Sequence, residues 1–302
     1  MRHPHLSPAR LSDERHVISY LYTCVAVLLA FSLASLCPAI AATLDADTEP
    51  DQRGNRIETF EATSPVDPAT GSLEVRCTAD RMWCARIRAD KQTGNPLLVL
   101  LDKAKPADAQ EAGRYPMRAG KDDESLALWT RIVRIPYADG RPEQKALIGV
   151  VKHMRAMYSG GGSDSQRLSL IEVDTTFGAP IFKEVLSVPL SGSAMIRACF
   201  SENDMKARAG ACHDEYSFSA ELMLREAKTG ELQFDYITTA MTYPGDVSRN
   251  VDSLAKAPLT EKDLIQVVND ECSYQRVVRF NPATERYEFD SPAPVCRDFT
   301  VL

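Results

Sequence analysis

The chain has few of the residues and motifs that mark the common enzyme classes. It contains five His and two Trp in 302 residues, and only His153 and His213 lie beyond the first 41 positions. A Walker A loop, a Rossmann fingerprint, an EF-hand loop and a G-x-S-x-G elbow are all missing, as are heptads and repeats of solenoid period. Nucleotide, dinucleotide and calcium binding therefore have no support, and we predict no cofactor.

The charge balance lacks a basic excess. Lys and Arg number 35 against 42 Asp and Glu, which gives a formal charge of −7. The basic residues are interspersed with acids, whereas nucleic-acid binding needs a concentrated basic face. We therefore predict that nucleic acid is not a partner, and we attribute the acidic excess to solubility.

The first 41 residues have the pattern of a secretory signal peptide. Arg2, Arg10 and Arg15 form a basic leader, residues 25–36 are an almost uninterrupted apolar run, and Ala39-Ile40-Ala41 places small residues at the cleavage position. We predict a periplasmic or secreted protein with no membrane span after cleavage.

Two alternatives to cleavage remain open. An uncleaved anchor is possible because residues 17–42 are long enough to cross a bilayer. Lipidation of Cys37 is less favoured, because Leu36 occupies a position where a small residue is preferred.

Eight Cys are present, of which Cys24 and Cys37 lie in the leader. An even set in an exported chain predicts disulfides, and the spacing favours three local bridges. A zinc site is the weaker alternative, because Cys-x2-Cys spacing is missing and neighbours on a strand such as Cys212 and His213 point to opposite faces. The predicted pairs, with no metal, are Cys77 with Cys84, Cys199 with Cys212, and Cys272 with Cys296.

Apolar residues alternate with polar ones in much of the chain, which predicts a mainly β fold with antiparallel sheets, sandwich-like or as two small sheets, and little helix. The clearest hairpin joins residues 216–225 to 231–243, and a second joins 273–280 to 286–289. A third hairpin, predicted at 73–77 and 83–89, would be braced by the first disulfide. Further strands are predicted at 97–101, 126–135, 145–158 and 167–173.

Two polar stretches, 103–125 and 244–262, are predicted to be long loops. Thr260 precedes either a short capped helix or a strand containing Val267 and Val268. The predicted organisation is a signal peptide (1–41), a flexible segment (42–56) and two β-rich regions (57–180 and 181–302), with a single domain over 57–302 as the alternative.

The sequence contains no specific motif for a catalytic nucleophile or a catalytic acid. Gly161-Gly162-Ser163 resembles a hairpin loop more than a nucleophile elbow, and Ser193 has His153 and His213 as distant candidate partners. The densest acidic sites are 122–124 and 214–215, where turn-adjacent acids are usually solvated.

The segment between Cys199 and Cys212 is the most distinctive in the chain. A disulfide there would present a polar loop in a restricted shape, which lowers the entropic cost of binding a partner. The residues predicted to contact a partner are Glu202, Asp204, Lys206 and Arg208. The glycine-rich tip at 159–163 is a second candidate contact, and for both segments a surface loop without a partner is the simpler interpretation.

These observations favour an exported, non-catalytic envelope protein that binds another macromolecule, as an inhibitor or an immunity-type protein does. Its partner would be an envelope protein or a cell-wall component. The first alternative is a periplasmic hydrolase of cell-wall glycan or peptide that uses Asp214 or Glu215. The second is a structural component of the envelope.

Overall fold

A computed structural model describes residues 48–64, 74–102, 110–118, 123–137, 143–226, 231–245 and 247–300. The predicted signal peptide, its cleavage position and Cys37 lie outside these residues. Within them, no helix is long and apolar enough to span a membrane. The chain from Ala46 onward is one compact unit.

The described residues form strands, two short α-helices and two 3-10 turns. The strands are β1 (Arg56–Thr59), β2 (Glu61–Ser64), β3 (Val75–Cys77), β4 (Cys84–Ala89), β5 (Pro96–Leu101), β6 (Glu111–Pro116), β7 (Glu124–Ile135), β8 (Lys145–Tyr158), β9 (Gly161–Asp174), β10 (Ile181–Arg197), β11 (His213–Arg225), β12 (Gln233–Tyr243), β13 (Val267–Val268), β14 (Gln275–Asn281) and β15 (Arg286–Phe289). The helices are α1 (Glu202–Ala207) and α2 (Arg297–Thr300), and the 3-10 turns are Ser253–Ala255 and Glu261–Asp263.

The strands form two antiparallel sheets. A ten-stranded sheet has the order β1-β7-β8-β9-β10-β11-β12-β14-β15, with β13 paired to β12, and a five-stranded sheet has the order β2-β3-β4-β5-β6. The predicted mainly β, antiparallel fold is confirmed. Because β9 pairs with β10 along its length, the large sheet runs without a break past position 180.

The small sheet packs on one face of β7, β8 and β9. Ala146, Ile148 and Val150 of β8 lie in this interface, whereas Leu147 and Val151 point to the other face and join a second core. A strand that is buried on both faces reads as a continuous apolar run, which is the pattern of this part of β8. The partners of β8 in the interface include Phe60, Trp83, Leu98, Ile132 and Ile171.

The second core lies against the large sheet and includes the end of the chain. Phe299 of α2 packs edge-on against Tyr216 of β11, with ring centroids 5.9 Å apart. Gly192 of β10 makes this approach possible, because a Cβ there would lie 1.9 Å from the carbonyl oxygen of Phe299. Cys272 and Cys296 are buried in the same core, so their disulfide anchors the tail.

All three predicted disulfides are present. Cys77 is bonded to Cys84, Cys199 to Cys212 and Cys272 to Cys296, with Cα–Cα distances of 4.1, 4.8 and 5.7 Å. The first bridge joins residues directly opposite each other on β3 and β4, as the braced-hairpin prediction required. Three intramolecular disulfides are consistent with an oxidising compartment.

A buried cation joins the two sheets. Arg134 of β7 is 6% exposed and donates hydrogen bonds to Glu58 at 3.0 Å, Asp80 at 2.8 Å and Glu143 at 2.6 Å. Asp80 lies in the turn between β3 and β4 of the small sheet, while Glu58 belongs to β1 of the large one. Arg134 therefore links the large sheet to the small one through Asp80, while Glu58 and Glu143 balance its charge from its own side.

Three local predictions can be compared with the structure. In the segment 42–56, the described residues from Thr48 onward include a turn before β1, in which the Asp51 carboxylate accepts hydrogen bonds from Arg53 N and Asn55 N. The polar stretch 103–125 was wrongly predicted to be a loop throughout: it contains the strand β6, which has Tyr115 as its only large apolar side chain and therefore shows no alternation in the sequence. Both interpretations of the Thr260 region hold: Thr260 caps a 3-10 turn, and β13 follows it.

Candidate functional site

Three chain segments meet at one end of the large sheet. They are the hairpin tip between β8 and β9 (residues 158–162), the stapled loop (residues 199–212) and the segment 248–254; together we call them the loop end. Arg197 connects the first two, because its backbone N donates to the carbonyl oxygen of Gly160 and its Nε donates to that of Cys199 at 2.8 Å. The two loops predicted as candidate contacts are thus neighbours.

The stapled loop folds as a capped helix because its sequence supplies both ends. Ser201 Oγ accepts from Asp204 N at 3.2 Å, and the Asp204 carboxylate accepts from Phe200 N at 2.9 Å. Ser201 is therefore the N-cap of α1, while the Asp204 carboxylate holds the residue before the cap, and the hydrogen bond from Phe200 N lowers the pKa of Asp204. At the other end Gly210, with φ +87°, donates its N–H to Met205 O, which stops the helix.

A buried ion pair holds the loop from inside. Arg208 donates from its guanidinium to the carboxylate of Asp214 on β11 and from Nε to Ala211 O at 2.8 Å. The other oxygen of Asp214 accepts from Ser253 Oγ. One carboxylate therefore ties the stapled loop to the segment 248–254, and Leu259 N adds a bond of 2.7 Å to Ala207 O.

The four residues predicted to contact a partner differ in their exposure to solvent. Glu202 and Lys206 are exposed on α1, whereas Asp204 is half-buried and used for capping. Arg208 is 3% exposed, so its place in the predicted contact set is corrected: it supports the loop and does not face a partner. The reason is tertiary, since β11 brings Asp214 beneath the loop.

Exposed apolar side chains surround these residues. Phe200 is 67% exposed, and the Arg197 guanidinium lies 5.2 Å from its ring centroid. The other large apolar side chains exposed at the loop end or beside it are Met157, Tyr158, Met195, Met205, Val251 and Leu254. Sequence reasoning missed them because it weighed only the charged residues of the loop. The motif Ser201-x-x-Asp204, followed by Gly210, predicts a short helix in this loop. Met205 is exposed on that helix.

A shallow pocket on the sheet adjoins the loop end. Strand register places Arg155, Asp164, Ser193, Ser217 and Met241 in one row across five strands. The next row is Met157, Gly162, Met195, Glu215 and Tyr243. Together the rows line most of a pocket of about 420 Å³, which we call the sheet pocket. The sheet pocket is lined mainly by methionine side chains, by serine and threonine hydroxyl groups, and by charged side chains of both signs.

A second pocket lies between the stapled loop and the segment 248–254. This loop pocket has a volume of about 290 Å³ and is lined by Ile196, Arg197, Ala198, Phe200, Asp214, Tyr216 and residues 248–254. Tyr216 lines both pockets. Burial, with Asp214 and Asp298 nearby, raises the pKa of its hydroxyl.

The residues predicted for hydrolysis are not assembled into one site. Asp214 is buried in its ion pair, while its neighbour Glu215 is exposed on the opposite face of β11. Ser193 stands opposite Asp164 and Ser217, and His153 lies two strands away, opposite Gln166.

The other acidic run that the sequence analysis named, 122–124, lies partly within the described residues. Of the acidic run 122–124, Asp122 lies outside the described residues and Glu124 pairs with Lys152 at 2.7 Å. No group of three His, Cys, Asp or Glu side chains that could hold a metal ion occurs in the part of the chain that the structure describes.

Comparison of the chain with protein-family models, with curated proteins and with solved structures found no match.

Proposed function

We propose that this protein is an exported, non-catalytic envelope protein of the periplasm that binds another protein through its loop end. One observation carries the proposal: three segments that are distant in sequence are tied together so that their apolar side chains face outward. Single exposed apolar residues are ordinary, but a contiguous group marks an interaction surface.

The loop end is held in one shape, as a binding surface should be. The Cys199–Cys212 disulfide closes the loop, the Ser201 N-cap fixes the start of α1, and Asp214 bonds to groups on both sides. Ordering is therefore complete before a partner arrives, which removes part of the entropic cost of association. This is how an inhibitor or an immunity-type protein presents a loop to its target.

The composition of the surface favours a protein over other macromolecules. Aromatic residues, Met and Arg are enriched in protein interfaces, and the loop end exposes Tyr158, Phe200 and Met205, with the Arg197 guanidinium against the Phe200 ring. Methionine adapts to irregular partner surfaces because its side chain is unbranched and polarizable. The net charge of −7 disfavours a polyanionic partner.

Affinity capture that compares the wild type with one surface variant, Phe200→Glu, tests the proposal. The oxidised full chain is immobilised, envelope proteins are passed over it, and retained proteins are identified for wild type and for Phe200→Glu. Phe200 is exposed, so the substitution leaves the fold intact while placing a charge on the surface. We expect the wild type to retain a defined partner that the variant loses.

Phe177→Glu is the matched control. Phe177 is 80% exposed in the turn between β9 and β10, at the far end of β9 from the hairpin tip. It should retain the same partner as the wild type. Retention by Phe200→Glu as well, or capture of no partner by the wild type, would overturn the proposal.

A further inference from the structure

The sheet pocket is lined by methionines from three different strands. They are Met157 of β8, Met195 of β10 and Met241 of β12, three of the nine methionines in the chain. Met157 is 70% exposed and Met195 is 44% exposed, whereas methionine is usually buried and fills gaps between apolar side chains. Packing in a core therefore does not account for Met157 or Met195.

Strand register places Met157 and Met195 on either side of Gly162. Gly162 of β9 pairs with Met157 on one side and with Met195 on the other, so the three residues lie in one row on the same face of the sheet. A Cβ at Gly162 would lie 2.7 Å from Met157 Sδ, which shows that the Met157 thioether extends over β9. Its sulfur thus lies about 5 Å, one strand spacing, from β10. Met195 has three rotatable side-chain bonds, so its sulfur can reach the same point.

The donor atoms of these side chains define the kind of ligand that they favour. Thioether sulfur is a soft ligand that selects Cu(I), whereas Mg²⁺, Ca²⁺ and Mn²⁺ prefer oxygen. Each of the six cysteines in the described residues is bonded in a disulfide. In this part of the chain, methionine therefore supplies the soft donors that remain available.

The charges around the methionines also favour a cation. Glu215 stands next to Met195 in the same row. The charged side chains that line the pocket are Arg155, Asp164 and Glu215, so one positive and two negative groups leave a formal charge of −1. A site of negative charge attracts a cation.

We propose that Met157, Met195 and Met241 bind one Cu(I) ion in the sheet pocket through their three sulfur atoms. Met157 and Met195 hold the ion from the two sides of Gly162, and Met241 supplies the third sulfur from β12. This site goes beyond the proposed function, because it assigns a metal ion to the pocket beside the loop end.

A competition titration with Cu(I) tests the proposal. The oxidised full chain is titrated without oxygen against the coloured Cu(I) complex of bicinchoninate, with ascorbate to keep the copper reduced. We expect the wild type to withdraw one equivalent of Cu(I) from the chelator. Met157→Leu, Met195→Leu and Met241→Leu should each bind Cu(I) at least about tenfold more weakly, because losing even an outer-shell partner weakens a metal site by that much.

Met205→Leu is the matched control. Met205 is 47% exposed on α1 and does not line the sheet pocket, so this variant should bind Cu(I) as the wild type does. Leu and Met are similar in volume, so all four variants should keep the Tm of the wild type. A loss of Cu(I) affinity without a change in Tm then reports a lost ligand and not a damaged fold.

Methyl NMR gives a second measurement that locates the ion. The probe is Ag(I), a soft cation of the same charge that needs no reductant, added to protein labelled with ¹³C at the methionine methyl groups. We expect Ag(I) to shift the methyl signals of Met157, Met195 and Met241 and to leave that of Met205 unchanged. Zn²⁺, which prefers thiolate and imidazole, should shift none of them.

Three outcomes would each overturn the proposal. They are no uptake of Cu(I) by the wild type, wild-type affinity in any of the three pocket variants, and an equal loss of affinity in Met205→Leu. Phe200 does not line the sheet pocket, so Phe200→Glu should bind Cu(I) as the wild type does. If Cu(I) binding fails while Phe200→Glu still abolishes partner capture, the proposed function stands and only the metal site is wrong.

Discussion

Arg208 and Asp214 form an ion pair inside the fold, although both residues belong to segments that read as surface loop and strand end in the sequence. Their side chains are 4% and 8% exposed. The pair sits beneath the stapled loop and shares its carboxylate with Ser253. Its burial connects the stability of the protein to the shape of the proposed binding surface.

Removing the Arg208 cation should lower the free energy of unfolding. Arg208→Met leaves the Asp214 carboxylate buried with Ser253 as its remaining side-chain donor, and breaking a buried pair costs about 3–5 kcal/mol. Urea unfolding of the oxidised protein measures the loss. The matched control is Lys206→Met, two residues earlier and exposed, for which a change within about 0.5 kcal/mol is expected.

The double variant Arg208→Met, Asp214→Leu should recover much of that loss, because apolar residues can replace a buried pair at little net cost. Equal losses in the single and double variants would show that the uncompensated carboxylate is not the cause.

Arg134 should be the most sensitive charged residue of the sheet interface. Arg134→Met leaves Glu143, which is 6% exposed, without its cation and removes the link to Glu58 and Asp80. We expect unfolding free energy to fall by about 3–5 kcal/mol. Arg56→Met, which breaks only the partly exposed pair with Glu58, should cost at most about 1 kcal/mol. A similar loss of unfolding free energy in both variants would contradict the claim that Arg134 is the most sensitive charged residue of the sheet interface.

Asp80 should give the protein an acid-sensitive contribution to stability. Burial raises its pKa, but hydrogen bonds from Thr78, Met82 and Arg134 outweigh that effect and lower it from 3.8 to about 2. Because the folded pKa lies below the unfolded one, the contribution is complete above the unfolded value and is lost as pH falls from about 4 to about 2.

Asp80→Asn should therefore flatten the pH dependence of unfolding between about pH 4 and pH 2 relative to wild type, and lower stability at pH 7. Chemical denaturation at several pH values measures both effects. Parallel pH profiles for the two proteins would show that the carboxyl titrates normally.

Gly192 should be required for docking of the C-terminal tail. An Ala at this position would place Cβ 1.9 Å from the backbone oxygen of Phe299, and backbone gives way less easily than a side chain. We expect Gly192→Ala to lose about 1–3 kcal/mol, with faster hydrogen exchange in α2.

Gly160→Ala is the matched control, because its nearest neighbour outside the adjoining residues would be the Tyr158 ring at 3.5 Å, an ordinary contact. Unchanged exchange in α2 of Gly192→Ala would mean that the tail is held by the Cys272–Cys296 bridge alone.

Local patterns in the sequence determined the fold class, the main hairpins and the three disulfides. Alternation between 216 and 225 is a property of neighbouring residues, and each bridge closes a loop of at most 24 positions, so neither depends on where the rest of the chain goes. The same locality explains the errors. In β6 only Tyr115 is a large apolar residue, so the repeated alternation that marks a strand is missing from its sequence.

Only the tertiary structure decided which polar groups face inward. Arg208 has the same charge as its exposed neighbour Lys206, and Arg134 resembles any strand arginine until Glu58, Asp80 and Glu143 are brought around it. The loop end likewise depends on pairing of β9, β10 and β11, which places its three segments side by side. Burial and contact are set by long-range packing, and a linear pattern of residue types does not contain them.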